Sequence, residues 1–242
     1  MKKQEWKPGN MLYPVPAVMV SCGREGETPN IITVAWAGTI CSDPAMLSIS
    51  VRPERYSYDI LKETGEFVIN LITRDLTYAT DFCGVRSGRD VDKFAQMHLT
   101  PLPSQHISAP GIAESPVNLE CKVTQVIPLG SHDMFLAEVL GVTVDEKYMD
   151  ENGKFHLNDA GLVAYSHGEY FELGEKLGKF GYSVAKKQAA KTESMTKSAK
   201  PSGAGKKAAS AENRTASKTG AGNRRKSASK TGSADKQKSR RK

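Results

Sequence analysis

A barrel of short antiparallel strands carrying a few short helices is the fold that the sequence predicts for residues 1–185. Three observations predict it. Short apolar or alternating runs recur along this stretch, and tight-turn signals separate most of them. The helical stretches are too few and too short to cover both faces of a doubly wound parallel sheet. No Gly-x-Gly-x-x-Gly follows a strand, which removes the usual dinucleotide fingerprint of such a sheet. The class is therefore mainly β, a β-barrel with short helices, followed by a tail that should not fold.

The elements follow in order. Val15 to Cys22 is an apolar run ended by Gly23-Arg24-Glu25-Gly26, a strong turn signal, and Ile31 to Trp36 resumes it as the second strand of a hairpin. Asp43-Pro44 breaks the chain, Met46 to Val51 reads as a third strand, and Pro53 ends it. Ser57 stands where a helix N-cap is wanted, with Tyr58 to Thr64 as the helix and Gly65 at its end. Phe67 to Leu71 is a strand, and Asp75 to Phe82 a second helix stopped by Gly84. Residues 84–116 form a long excursion rich in Gly, Pro, Ser and charge, with a helical piece near Val91 to Met97; such excursions often cover binding sites. Val117, Leu119, Cys121 and Val123 alternate with polar residues in the clearest half-buried strand of the chain. Pro128-Leu129-Gly130-Ser131 turns it into a strand from Met134 to Val144, and Asp150-Glu151-Asn152-Gly153 is a further hairpin turn. Leu162 to Tyr165 and Glu169 to Leu173 are the last short strands.

Charge divides the chain. Lys186 to Lys242 holds 18 basic and 3 acidic residues, a net +15, so the +7 of the whole leaves −8 on residues 1–185. The tail has no aromatic or branched aliphatic residue after Val184 and cannot bury enough apolar area to offset the entropy of ordering. It is expected to be disordered. Its charge suits non-specific contact with nucleic acid or another anionic surface, and equally a solvated extension or a return to the acidic domain. Cys22, Cys41, Cys83 and Cys121 are too widely spaced for a zinc site or a redox dithiol, which suits a reduced, cytoplasmic protein. No signal peptide, membrane-span-length apolar run, metal-ligand spacing or Gly-x-Ser-x-Gly elbow is present in the sequence.

The candidate site lies in residues 30–57. Thr33, Trp36 and Thr39 place hydroxyls and a flat ring among Ala35, Ala37 and Gly38, small residues that let a planar ligand approach the backbone. Ser50, Arg52 and Ser57 add a guanidinium fork and hydroxyls suited to a phosphate. Taken singly, each has a plainer reading: Arg52 as a solvated strand-end charge, Ser57 as a helix cap, Trp36 as core. Lys93 reads as a surface charge and His132 as a solvated turn residue.

The order of these groups changes that reading. Asn30-x-x-Thr33-x-Ala35-Trp36, the Asp43-Pro44 turn, Ser50-x-Arg52, Tyr56-Ser57, Asp92-Lys93-Phe94, His132 and the closing Gly178-Lys179-Phe180-Gly181-Tyr182-Ser183-Val184 resemble the flavin reductase-like family, in its flavoredoxin branch, over roughly residues 8–187. The resemblance implies an FMN-binding split β-barrel over residues 1–185 that forms a homodimer with FMN near the subunit interface. It implies electron transfer from NAD(P)H through FMN to a flavin or other acceptor. By position, Asn30, Thr33, Val34, Ala35 and Trp36 would lie along the flavin, and Ser50, Arg52 and Ser57 would hold its phosphate. Lys93, His132 and Tyr165 would approach from other segments. No catalytic acid or metal is required, because the cofactor carries the chemistry. Two other functions fit the same residues: an FMN electron carrier reduced by a protein partner, and a nucleic-acid-associated protein acting through its tail.

Overall fold

The computed structural model describes residues 1–185. The first apolar run folds as β1 (Val15–Pro16) and β2 (Val18–Cys22), and β3 (Asn30–Val34) returns antiparallel to β2 with Val20 opposite Ile32. The third strand is longer in company than in isolation: β4 (Ala37–Ser42) and β5 (Ala45–Val51) form a hairpin around Asp43-Pro44. Helix α1 (Tyr56–Thr64) follows, then β6 (Glu66–Leu71), α2 (Thr77–Val85) and α3 (Lys93–Gln96). The remaining elements are β7 (Pro101–Leu102), β8 (Gly111–Ile112), β9 (Val117–Pro128), β10 (Asp133–Val144), β11 (Val163–Ser166) and β12 (Glu169–Glu172).

Seven strands make one antiparallel sheet in the order β3-β2-β6-β9-β10-β5-β4. Laid flat, its two edge strands would stand about 29 Å apart. Yet β3 and β4 are joined by Ala35 and Trp36 alone, a link that reaches about 11 Å. The sheet must therefore curl until its edges nearly meet. Ser50 N donates to Trp36 O at 2.8 Å, which continues the β4–β5 ladder onto the link. The result is a split barrel, as the sequence predicts.

Its concave face holds Val20, Ile32, Ile49, Phe67 and Phe135, and α1 plugs it with Tyr58, Ile60 and Leu61. The opposite face of β2 and β3 is also covered, Met19 and Ile31 packing against Leu76, Phe94 and Ile112. Burial on both faces explains why β2 reads as a continuous apolar run rather than an alternating one.

Four local expectations change. The second strand ends at Val34, because Ala35 and Trp36 form the link rather than continuing the ladder. Strand β4 carried no readable signal: it is an edge strand, largely exposed, with a sequence of mostly small residues and no alternation. Helix α1 begins at Tyr56, so Ser57 lies in its first turn, and the capping position falls to Arg55, which makes no side-chain cap. Gly84 does not stop α2. It lies within the helix because a Cβ there would stand 3.2 Å from Thr33 Cβ, so its bareness permits close packing on β3.

The long excursion is tied down by polar groups. Asn70 Oδ1 accepts from Ile112 N at 2.9 Å and from Asn118 Nδ2 at 2.7 Å. Buried Glu120 accepts from Gln105 N at 3.0 Å and from His106 N at 2.7 Å. The four cysteines are free, and burial pushes the thiols of Cys22 and Cys83 up to about 11 and that of Cys121 up to about 12. No helix of the described residues is long and apolar enough to cross a membrane. The basic tail lies outside the described residues.

Candidate functional site

The seam between β3 and β5 opens into a cleft of two joined compartments. One, of about 160 Å³, is walled by Thr33 to Trp36, Ser50 and His132. The other, of about 280 Å³, runs over Asn30 and Ser57 toward the loop after α2. Ile32, Arg52 and Arg55 border both.

Each side chain is placed by its element. Asn30 opens β3 at the mouth of the barrel and faces the first turn of α1, where its Nδ2 donates to Ser57 Oγ at 2.7 Å. Its Oδ1 is buried with no hydrogen-bond partner among the described residues. That leaves an acceptor able to take a ligand donor. A Cβ on Gly88 would stand 2.1 Å from this oxygen and 2.7 Å from Tyr56 Cδ1, so only glycine lets the loop close over Asn30.

Lys93 begins α3 and points inward. Its Nζ donates to Ile31 O at 2.6 Å and Cys83 O at 2.8 Å, and the residue is 3 % exposed. Burial pushes its pKa down to about 8, offset in part by the Cys83 and Cys22 thiols. Lys93 is thus no surface charge: it lines the floor of the larger compartment with two of its donors committed to the backbone.

Arg52 follows β5 and pairs with Glu54 at 3.1 Å, and Arg55 Nη1 donates to Gly84 O at 3.4 Å. His132 stands in the β9–β10 turn beside Ser131 Oγ at 2.9 Å. Burial first, then the Arg52 and Arg55 cations, push its imidazole below its ordinary value, so it is neutral at pH 7.

Most of the predicted residues therefore meet. Asn30, Ser57, Arg52 and Lys93 share the larger compartment, and Thr33, Val34, Ala35, Trp36, Ser50, Arg52 and His132 the smaller. Two are placed differently from the expectation. The Thr33 hydroxyl is engaged by the Thr80 carbonyl of α2, leaving its backbone to face the cleft. Tyr165, on β11, packs on Tyr13 with ring centroids 6.2 Å apart, and Tyr13 in turn lies 6.2 Å from Trp36, so Tyr165 stands behind the wall rather than in it. The sequence reading missed Arg55, Arg86, Arg89 and Gly88. No local signal marks them: the 86–89 segment meets the 52–55 segment only through the docking of α2 on β3, with Arg89 Nη1 donating to Glu54 O at 3.3 Å.

The cleft joins a flat aromatic end to a strongly cationic end, where Glu54 is the one carboxylate among the lining residues. Such a surface suits a planar ligand with a phosphate on a flexible arm.

Known proteins match this description. Residues 10–174 match the family model described as Flavin reductase like domain. The flavoredoxin structure from Desulfovibrio vulgaris (Miyazaki F) superposes with a TM-score of 0.71 at 32 % identity, covering 76 % of this chain and 100 % of that one. An uncharacterised protein of Archaeoglobus fulgidus is 31 % identical over 160 residues, 66 % of this chain and 88 % of its own length. The NADPH-flavin oxidoreductase of Streptomyces viridifaciens is 26 % identical over 125 residues, 51 % of this chain and 63 % of its own.

Proposed function

The chain belongs to the flavin reductase-like family, and on that premise we propose that it is an FMN-binding oxidoreductase that passes electrons from NAD(P)H to a flavin or another acceptor. The observation that carries the reading is the unpartnered, buried Asn30 Oδ1 in a cleft with Trp36 at one end and Arg52, Arg55 and Ser57 at the other.

These residues fit FMN. Arg52 and Arg55 would hold the phosphate dianion with charge-assisted bonds, and the Ser57 hydroxyl, which accepts from Asn30, keeps its own proton to donate. Asn30 Oδ1 would accept from a ribityl hydroxyl. The backbone of Thr33 to Trp36 would border the ring, with neutral His132 across the smaller compartment. Lys93 would act from beneath, its charge compensating the dianion without leaving its carbonyl partners. When bound, FMN supplies two-electron acceptance and stepwise or paired donation; the chain's own part is binding, orientation and exclusion of water.

The likeness to flavoredoxin favours a second reading of the same site, an electron carrier reduced by a protein partner. A homodimer that brings a second chain to the cleft belongs to both readings. In both, the flavin domain comprises residues 1–185, and removing residues 186–242 leaves FMN affinity within about twofold.

The test is an absorbance spectrum of the purified protein before and after anaerobic NADH or NADPH. A flavin spectrum that bleaches rapidly supports the reductase; flavin that stays oxidised with both supports the carrier. A colourless protein that also fails to bind added FMN overturns both.

A further inference from the structure

A second sheet, of three strands in the order β1-β11-β12, is separate from the barrel sheet, and none of its residues lines either compartment of the cleft. A file of aromatic rings leads from the cleft onto it. Trp36, in the wall of the smaller compartment, has Tyr13 beside it with ring centroids 6.2 Å apart. Tyr13 precedes β1 and stands 6.2 Å from Tyr165 on β11. Tyr165 is paired with Tyr170 across the β11–β12 ladder, at 5.5 Å. All three spacings are those of aromatic rings in contact. The file therefore runs unbroken from the cleft to the outer strand of the sheet.

Its far end has a feature that packing alone does not need. Tyr170 Oη donates to Asp81 Oδ1 at 3.4 Å, which joins β12 to α2. Asp81 is exposed, so its carboxylate also meets water. Burial first, then the Asp81 charge, push the Tyr170 phenol up to about 12, so it holds its proton at rest. A phenol that loses an electron becomes a strong acid, and a carboxylate already hydrogen-bonded to it is placed to take the proton. The choice of rings is as telling. Phenylalanine would pack as well, but only indole and phenol rings give up an electron to a radical oxidant.

We propose that Trp36, Tyr13, Tyr165 and Tyr170 form a relay that carries a one-electron oxidising equivalent from the cleft to the surface, with Asp81 as its terminal proton acceptor. The oxidant is an oxygen radical of the hydroxyl class, formed where a reduced cofactor meets oxygen. It takes an electron and a proton from the Trp36 indole and leaves as water. An electron then passes from Tyr13 to Trp36, from Tyr165 to Tyr13 and from Tyr170 to Tyr165. Trp36 regains a proton from water, and Tyr170 sheds its own to Asp81, which returns it to water. The rings between end as they began. A soluble thiol gives a hydrogen atom to the Tyr170 radical and is itself left as the thiyl radical, so every ring is restored. The flavin reading supplies the source of the oxidant, but the relay stands on the rings and is measured without FMN.

The test is pulse radiolysis of the full chain in azide solution. Azide radicals oxidise indoles in preference to phenols, leaving azide ion and a proton. The two tryptophans are Trp6 and Trp36, and Trp6 is exposed, so a Trp6→Phe parent keeps the fold and leaves Trp36 as its one indole. The Trp36 radical is expected to decay at a rate independent of protein concentration, with tyrosyl absorption rising at the same rate. Tyr13→Phe, which keeps the ring and removes the hydroxyl, should slow that transfer by about tenfold or more. A nitrone trap mapped by mass spectrometry should mark Tyr170 above every other tyrosine, and Asp81→Asn should lower that mark. Tyr170→Phe is the second variant: it should leave the first decay as in the parent and hold the trapped radical on Tyr13 or Tyr165. Decay that scales with protein concentration, equal rates with and without the Tyr13 hydroxyl, or a mark on Tyr170 that neither Tyr13→Phe nor Asp81→Asn lowers overturns the inference. Transfer in a protein that takes up no FMN sustains it while overturning the flavin reading.

Discussion

Asn30 donates its amide to Ser57 Oγ at 2.7 Å while the oxygen of the same amide is buried and unpartnered. One group thus ties β3 to the first turn of α1 and keeps an acceptor in reserve. A buried acceptor without a donor costs about 1–3 kcal/mol, a cost that a donating ligand removes on binding. Asn30→Ala should therefore weaken FMN by about tenfold or more, with Tm of the flavin-free protein changed by only a few degrees. Flavin fluorescence quenching and a thermal melt measure the two. A large fall in Tm with unchanged affinity would assign Asn30 to folding alone.

The two arginines that border both compartments should recognise the phosphate and not the ring. Arg52→Ala and Arg55→Ala are expected to weaken FMN by about tenfold to a hundredfold, the usual worth of a hydrogen bond to a charged group. Riboflavin, which lacks the phosphate, should bind both variants as it binds the wild type. Equal losses for the two flavins would contradict the assignment.

Lys93 should make stability depend on alkaline pH. Burial holds its folded pKa near 8, below the ordinary 10.5. Between those values the unfolded chain keeps the proton and the folded chain sheds it, so this group's contribution rises with pH across the window. Below pH 8 the cost of burying the ammonium is fully present. Urea denaturation of the wild type and Lys93→Met checks it: the wild type should gain on the variant between about pH 8 and 10. A difference that is flat with pH would show that Lys93 stays charged.

Glu120 should also make stability rise with pH, but at the acid end of the range and elsewhere in the fold. Burial alone would raise its pKa, but the amides of Gln105 and His106 and the His106 ring outweigh burial and hold it below the ordinary carboxylate value. Its contribution is present above that ordinary value and is lost as pH falls through the lowered one. Glu120→Ala should cost about 2–3 kcal/mol by leaving two amides unpaired. Hydrogen exchange at Gln105 and His106 should accelerate in the variant at neutral pH and in the wild type under acid, while exchange in β9 away from residue 120 is spared.

What the sequence disclosed followed from period and punctuation. β9 announces itself because one face is wet, and α1 ends where Gly65 adopts φ 65°. Edge strand β4 was hidden because no buried face imposes alternation on Gly38 and Thr39. Ser50, Arg52 and Ser57 were legible as anion-suited groups only in company, since Arg52 taken singly reads as a solvated strand-end charge and in the fold it pairs with Glu54. Arg86 and Arg89 were not, because their nearness to Arg52 depends on how α2 docks on β3 through Gly84, a packing event with no local signature. Lys93 was legible as a participant but not as a buried one; its burial comes from carbonyls of Ile31 and Cys83, 62 and 10 residues away.

The two-residue link between β3 and β4 works as a clasp on the cleft. A clasp of fixed length sets the girth of the barrel at the point where Trp36 sits. The opposite wall is the span from Gly84 to Asp92, which is pinned at one end by α2 and at the other by Lys93. The cleft is in this sense held between a wall of fixed girth and a loop packed against it, and the loop is the one that carries Arg86, Gly88 and Arg89.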